Sequence, residues 1–326
     1  MVSVAQIRYK VGLILVLFLA MSALAAAVGY AVFALELAAA RARIAGRSTT
    51  IAAPSGTIEY ATAGQGRPVL VIHGAAGGFD QSLDMTGALA RQGHRLIAPS
   101  RFGYLGSAVK ADLTVAGQAA AYVELLDHLG IDTVAVIAIS AGAWSALEFA
   151  SRHPDRCAAL VLLVPAAALP PGTRNHGGAI ARAMFESDFL TWAGLKAARF
   201  LPGLMDGLML GTDASVVAAA STGETARVNE LLDHLLPMRP RAAGMAFDIK
   251  TAAAPAPISL ERISCPVLAV SAEDDLFGTA ARARQISASV QHGSTVVYPT
   301  GGHALIGHYD EALSEVTAFL SHHLSP

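Results

Sequence analysis

Cysteine is nearly absent: Cys157 and Cys265 are the only two in 326 residues. That count excludes a disulfide framework and a multi-cysteine zinc site. Both flank apolar, strand-like runs and are expected as buried thiols. Charge is also scarce, at 15 % of residues, and the formal net charge is only -2. No basic block occurs, so the electrostatic footprint of a nucleic-acid binder is missing. No His/Asp/Glu group has a convincing metal-ligand spacing. No fixed-period repeat is visible.

What the chain has in excess is apolar residues, 53 %, with a mean hydropathy of +0.48. One source is plain. The run 11–40 carries a single charge, Glu36. Roughly 20 apolar residues cross a bilayer as a helix. Arg8 and Lys10 precede the run, and Arg41, Arg43 and Arg47 follow it. The expectation is a tail over 1–10 and a single-pass transmembrane helix over 11–40, surrounded by membrane lipid. A cleaved signal peptide is the rival, with Ser22-Ala23-Leu24-Ala25 resembling a cleavage site. In that case the protein is secreted. The apolar character continues past Ala25 to Leu35, which favours the anchor. A buried helix of the globular part is disfavoured by length, position and basic flanks. The flanking charges balance, so the positive-inside rule assigns no orientation.

Residues 41–55 read as a connector. Beyond it come apolar runs at Pro68–Ile72, His94–Ala98, Thr133–Ile139 and Ala158–Val164, with helical stretches at Val115–Gly130 and Gly142–His153. Continuous apolar runs of this length suit strands covered on both faces. The alternation predicts right-handed crossovers and a mostly parallel sheet. The rhythm breaks at Pro165, and Pro170-Pro171-Gly172 marks a turn. From 166 to 250 the pattern is helical and rich in Leu, Met and Phe. It returns to strand at Cys265–Val270 and Ser294–Tyr298. The expected plan is a core over 56–165, a helical insert over 166–250, and a second core part over 251–326.

Ser140 ends one of these runs, in Ala138-Ile139-Ser140-Ala141-Gly142-Ala143. Strand, sharp turn and helix would lift one hydroxyl above the sheet. A serine hydroxyl needs a histidine base, and that histidine needs an acceptor to hold its tautomer. His303, after Gly301-Gly302, is the expected base. Asp275 is the expected acceptor, with Asp274 its rival. The order Ser, Asp, His is a known one. The full elbow pattern is G-x-S-x-G, and Ala138 stands at its first glycine. Two backbone N–H groups must face the developing oxyanion. Ala141 is one candidate. Ala75, then Ala76, is the other, on the loop His73-Gly74-Ala75-Ala76-Gly77-Gly78. A phosphate loop would need a Gly-Lys-Ser/Thr ending, which is missing. His73, Gly74, Arg101 and Asp274 are supporting candidates.

These motifs resemble the α/β-hydrolase fold family, particularly serine-nucleophile members with a helical cap. The likeness spans Gly56 to the C-terminus. His73-Gly74-Ala75-Ala76-Gly77-Gly78 resembles the family's oxyanion loop. Ala272-Glu273-Asp274-Asp275 is similar to its G-x-x-D acid turn, with Ala272 replacing glycine, and supports Asp275. Pro99 to Ser107 resembles the loop after the next strand, where many relatives carry Asp in place of Arg101. The resemblance implies an α/β fold with a mostly parallel sheet flanked by helices, an inserted helical cap and no cofactor. A serine nucleophile implies acyl transfer to water on a small-molecule ester, apolar or mixed in character. Two alternatives stay open: a noncatalytic binding protein on this fold, and a cofactor-free haloperoxidase-like enzyme. Oligomeric state is left open.

Overall fold

A computed structural model describes residues 4–110, 113–166, 178–200 and 210–324. The chain divides into two units, Met1–Arg43 and Ile44–Pro326. The first contains a helix, α1 (Val4–Ile44), whose apolar side chains such as Leu15, Phe18 and Leu19 are exposed. The stretch Arg8–Ile44 is long and apolar enough to cross a membrane, and its terminal position also fits a signal sequence. The helix begins at Val4, so the expected tail over 1–10 is mostly helical.

The second unit is built on an eight-stranded sheet. Its strands are β1 (Thr49–Ala53), β2 (Gly56–Ala63), β3 (Arg67–Ile72), β4 (His94–Pro99), β5 (Val134–Ile139), β6 (Cys157–Leu163), β7 (Val267–Ala272) and β8 (Gly293–Tyr298). Their order is β1-β2-β4-β3-β5-β6-β7-β8. β1 and β2 run antiparallel at one edge, and β4 to β8 are joined by parallel pairings. This is the mostly parallel sheet the alternation predicts. The connector expected over 41–55 is corrected here: it contains β1. Thr49, Thr50 and Ile51 pair with β2, because an edge strand needs only one partner and tolerates polar residues facing water.

The centre of the sheet is its driest part. Every residue of β5 is buried, and so is every residue of β7. Each fully buried Val, Leu or Ile contributes roughly 1.5–3 kcal/mol over exposure. One face packs on α3 (Val115–His128) and α4 (Gly142–Arg152), through Tyr122, Leu125, Ala146 and Phe149. The other face carries Leu89 of α2 (Phe79–Arg91) and Val316 and Leu320 of the last helix, Tyr309–His323. Cys157 and Cys265 are buried free thiols, as expected, with their sulfurs 3.5 Å apart.

Between β6 and β7 the described chain is helical. The segments are α5 (Gly178–Glu186), α6 (Asp188–Phe200), α7 (Ala214–Ala218), α8 (Thr222–Asp233) and α9 (Ala242–Ala253). α9 runs three residues past 250, the expected end of the insert. Residues 201–209 of the expected helical insert, and the turn expected at Pro170-Pro171-Gly172, lie outside the described residues. Gly244 in α9 meets the loop after β4 at very close range. A Cβ there would lie 2.0 Å from the Tyr104 ring. Gly244 N–H also donates to Gly103 O at 2.9 Å.

Candidate active site

Ser140 stands between β5 and α4 with a backbone φ of +47°, in the left-handed region that side chains avoid. The surroundings hold it there. Ser140 N–H donates to Leu163 O at 2.9 Å, and Ser140 O accepts from Ala143 N–H at 3.0 Å and Ala166 N–H at 3.1 Å. Gly142 is required two positions on, because a Cβ would come within 2.6 Å of His73 O. Ala138, at the first position of the elbow pattern, is fully buried without disrupting the turn.

Three expected residues come together. Ser140 Oγ–H donates to His303 Nε2 at 2.9 Å. His303 Nδ1–H donates to Asp275 Oδ2 at 2.8 Å. These partners assign the tautomer, since a carboxylate can only accept. Asp275 is buried and is itself held. Its Oδ1 accepts from Phe277 N–H at 2.8 Å, and its Oδ2 accepts from Thr279 Oγ–H. Thr279 in turn hydrogen-bonds Ser271 Oγ at 2.7 Å. Asp274 does something different. Its oxygens accept from Gly302 N–H at 2.9 Å and Gly301 N–H at 3.2 Å, which ties the acid turn to the histidine loop. Geometry therefore separates the two acids that sequence left paired.

The loop after β3 closes the site from the other side. A Cβ on Gly74 would stand 3.2 Å from Ser140 Cβ. Gly74 N–H donates to Gln81 Oε1 at 2.9 Å, and Ala76 N–H donates to the Met245 sulfur at 2.8 Å. Among the described residues, Ala75 N–H and Ala141 N–H have no hydrogen-bond partner. These are the two donors an anion beside Ser140 would find unused, and Ala76 is excluded by its own bond.

His73 and Arg101 lie beneath this loop. His73 Nδ1–H donates to Gly74 O at 2.7 Å, while its Nε2 accepts from Arg101 N–H at 2.9 Å. Burial, then the positive charge of Arg101, push the His73 pKa well below the usual histidine value. The ring is therefore neutral, as its acceptor role requires. Arg101 is buried. It forks onto Asp248 of α9 at 2.7 and 2.6 Å and reaches Gly74 O at 3.0 Å. Burial lowers the Arg101 pKa, but the charge and hydrogen bond of Asp248, with Tyr104 and Tyr122, together outweigh it and raise the value. Tyr104 Oη–H completes the cluster by donating to Asp248.

Sequence reasoning missed Asp248, Thr279, Gln81 and Phe277. Only Thr279 had a local signal, being four residues from Asp275 at the start of a helix. Phe277 packs edge-on against His303, with ring centroids 4.9 Å apart, and remains nearly half exposed. A cleft of about 650 Å³ elsewhere is lined by Ser221, Glu224, Ile306 and His308, not by Ser140. The aligned hydrogen-bond chain lies outside this cleft.

The comparisons with known proteins bear on this arrangement. Residues 67–307 match the family model described as alpha/beta hydrolase fold. The chain belongs to the α/β-hydrolase fold family. The curated relatives of this α/β-hydrolase include proteins named as hydrolases. A Klebsiella pneumoniae protein named "Putative carbamate hydrolase RutD" is 31 % identical over 252 residues, 73 % of this chain and 85 % of that one. A Bacillus subtilis protein named "Uncharacterized hydrolase YcgS" is 43 % identical over 116 residues, 36 % of this chain. The match spans only 40 % of that relative's length. Among solved structures, an α/β-hydrolase fold protein from Nakamurella multipartita superposes with a TM-score of 0.68 at 24 % identity, covering 84 % of this chain and 98 % of that one.

Proposed function

We propose that this α/β-hydrolase is a serine-dependent carboxylic ester hydrolase working through an acyl-enzyme. The observation that carries the reading is the unbroken chain Asp275–His303–Ser140 beside two unused N–H donors, Ala75 and Ala141. In this reading Ser140 Oγ attacks the ester carbonyl while His303 Nε2 takes its proton. Negative charge then develops on the former carbonyl oxygen. The two N–H groups stabilise it, each worth about 3 kcal/mol by analogy with single-donor removal elsewhere. α4 begins just past Ser140, so its N-terminal partial positive charge acts in the same direction. The tetrahedral adduct collapses, and His303 returns the proton to the leaving alkoxide. Water then repeats the sequence on the acyl group, with His303 as base. Asp275 stays ionised and holds the imidazolium.

The substrate is a small ester of apolar or mixed character. Phe277 supports this by presenting an apolar edge beside His303, with Leu276 exposed next to it. The helical segment between β6 and β7 acts as the cap that bounds the substrate space. No metal or organic cofactor takes part in these steps. α1 serves as a single-pass membrane anchor, which would keep the enzyme near lipophilic esters.

The test is hydrolysis of p-nitrophenyl butyrate by the full chain, with the Ser140→Ala variant beside it. The expected result is turnover that drops at least about a thousandfold in the variant. Equal turnover by both proteins would contradict the reading. A folded wild-type protein that binds the ester without turning it over would favour a binding role instead.

A further inference from the structure

The oxyanion loop is held only in part from within: Gly77 N–H reaches Gly74 O at 3.4 Å, a long bond. Its key peptide joins Gly74 to Ala75. In a trans peptide the C=O and N–H point in opposite directions. Whatever fixes Gly74 O therefore fixes the direction of Ala75 N–H. Two side chains hold that oxygen: His73 Nδ1–H at 2.7 Å and Arg101 Nη2–H at 3.0 Å. The Arg101 backbone N–H also holds the far nitrogen of His73. Arg101 thus acts on the same carbonyl directly and through the imidazole.

Arg101 is placed from outside the core. Its guanidinium is gripped by both oxygens of Asp248, and Asp248 belongs to α9 of the segment between β6 and β7. The same segment is bolted down around the loop at several points. Arg241 and Asp80 form a fully buried pair at 2.8 Å, where α2 leaves the loop. The Met245 sulfur accepts from Ala76 N–H. Leu105 N–H donates to Pro240 O at 2.8 Å.

Resting on the ester-hydrolase reading above, we infer that Asp248 and Arg101 are a positioning pair. Through Gly74 O they aim Ala75 N–H at the oxyanion, and so make catalytic competence depend on how α9 is seated. Neither residue touches the reacting atoms. Asp248 holds the fork, the fork holds the carbonyl, and the peptide plane carries the constraint to the amide. Lysine cannot replace this arginine, because one ammonium cannot grip a carboxylate bidentately while also reaching the carbonyl.

The experiment compares Arg101→Lys and Asp248→Glu with wild type in the full-length protein. Leu320→Ala, a buried change in the last helix away from the loop, serves as the stability control. The measurements are kcat and KM for p-nitrophenyl butyrate, the rate of fluorophosphonate labelling, and Tm. A misplaced catalytic group costs on the order of 100-fold. The expected result for both variants is a kcat and a labelling rate lower by about 10- to 100-fold, with KM within about twofold. Leu320→Ala is expected to lower Tm while keeping kcat.

Folded variants with wild-type kcat would overturn the inference. So would a loss no greater than that of a control with the same Tm. Failure of both variants to fold would make the pair a structural one and also overturn it. The two readings fail separately. A wild-type enzyme that turns over the ester beside fully active variants sinks only the positioning pair. A wild-type protein that neither hydrolyses the ester nor takes the label sinks the hydrolase reading, and the pair with it.

Discussion

His73 is neutral because it is buried beside Arg101, and that has a consequence for stability. Unfolded, it titrates near the usual histidine value of about 6.5. Folded, it titrates well below. Between the two values the unfolded chain binds more protons, so stability falls as pH drops below about 6.5. The contribution is at most about 1.4 kcal/mol per pH unit. Chemical denaturation at stepped pH should show it, and His73→Gln should flatten the slope between about pH 6.5 and 5. An unchanged slope would mean that the ring is not held neutral. The two acids of the turn are expected to separate in the same way. Asp275→Asn should lower kcat by about 10³- to 10⁴-fold with little change in KM. Asp274→Asn should mainly cost stability, about 1–2 kcal/mol, because it gives up one of the two side-chain oxygens that accept from Gly301 and Gly302 N–H. Equal kinetic losses in the two variants would show that the acid role is shared.

At the scale of elements, the loop after β4 and α9 depend on near-contact of their backbones. Gly244→Ala would place a methyl group 2.0 Å from the Tyr104 ring. Overpacking of this kind costs roughly 1–3 kcal/mol. Tm should fall by several degrees, and an unchanged Tm would contradict the close approach. The same elements show what a sequence can and cannot reveal. β5 and its elbow were legible because the strand is one unbroken apolar run, and the turn needs small residues within four positions of Ser140. β1 was not, because Thr49-Thr50-Ile51-Ala52-Ala53 is short and half polar, and only its partner makes it a strand. α2 was overlooked because it starts directly after a glycine run and carries Asp80, Gln81 and Ser82 in its opening turn. Asp248 was invisible for another reason. It meets Arg101 across 147 residues, and nothing local to either residue announces the pair. Arg101 was noticed only as a departure from a family pattern, and its meaning came from the partner.

For the whole molecule, α1 separates two fates. As an uncleaved anchor it should keep the protein in the membrane pellet through alkaline carbonate extraction, with the N-terminus intact by mass spectrometry. Release of a shortened protein into the soluble fraction would identify a signal peptide instead. The hydrolytic reading itself rests on Ser140 being, among the described residues, the hydroxyl with an aligned base and two waiting amides. Fluorophosphonate labelling of the folded, full-length protein, read out by peptide mass spectrometry, measures that directly. The expected outcome is a single label on Ser140, lost in Ser140→Ala and strongly slowed in His303→Ala. A folded protein that takes no label, or carries it on another serine while Ser140 stays free, would contradict the proposed chemistry.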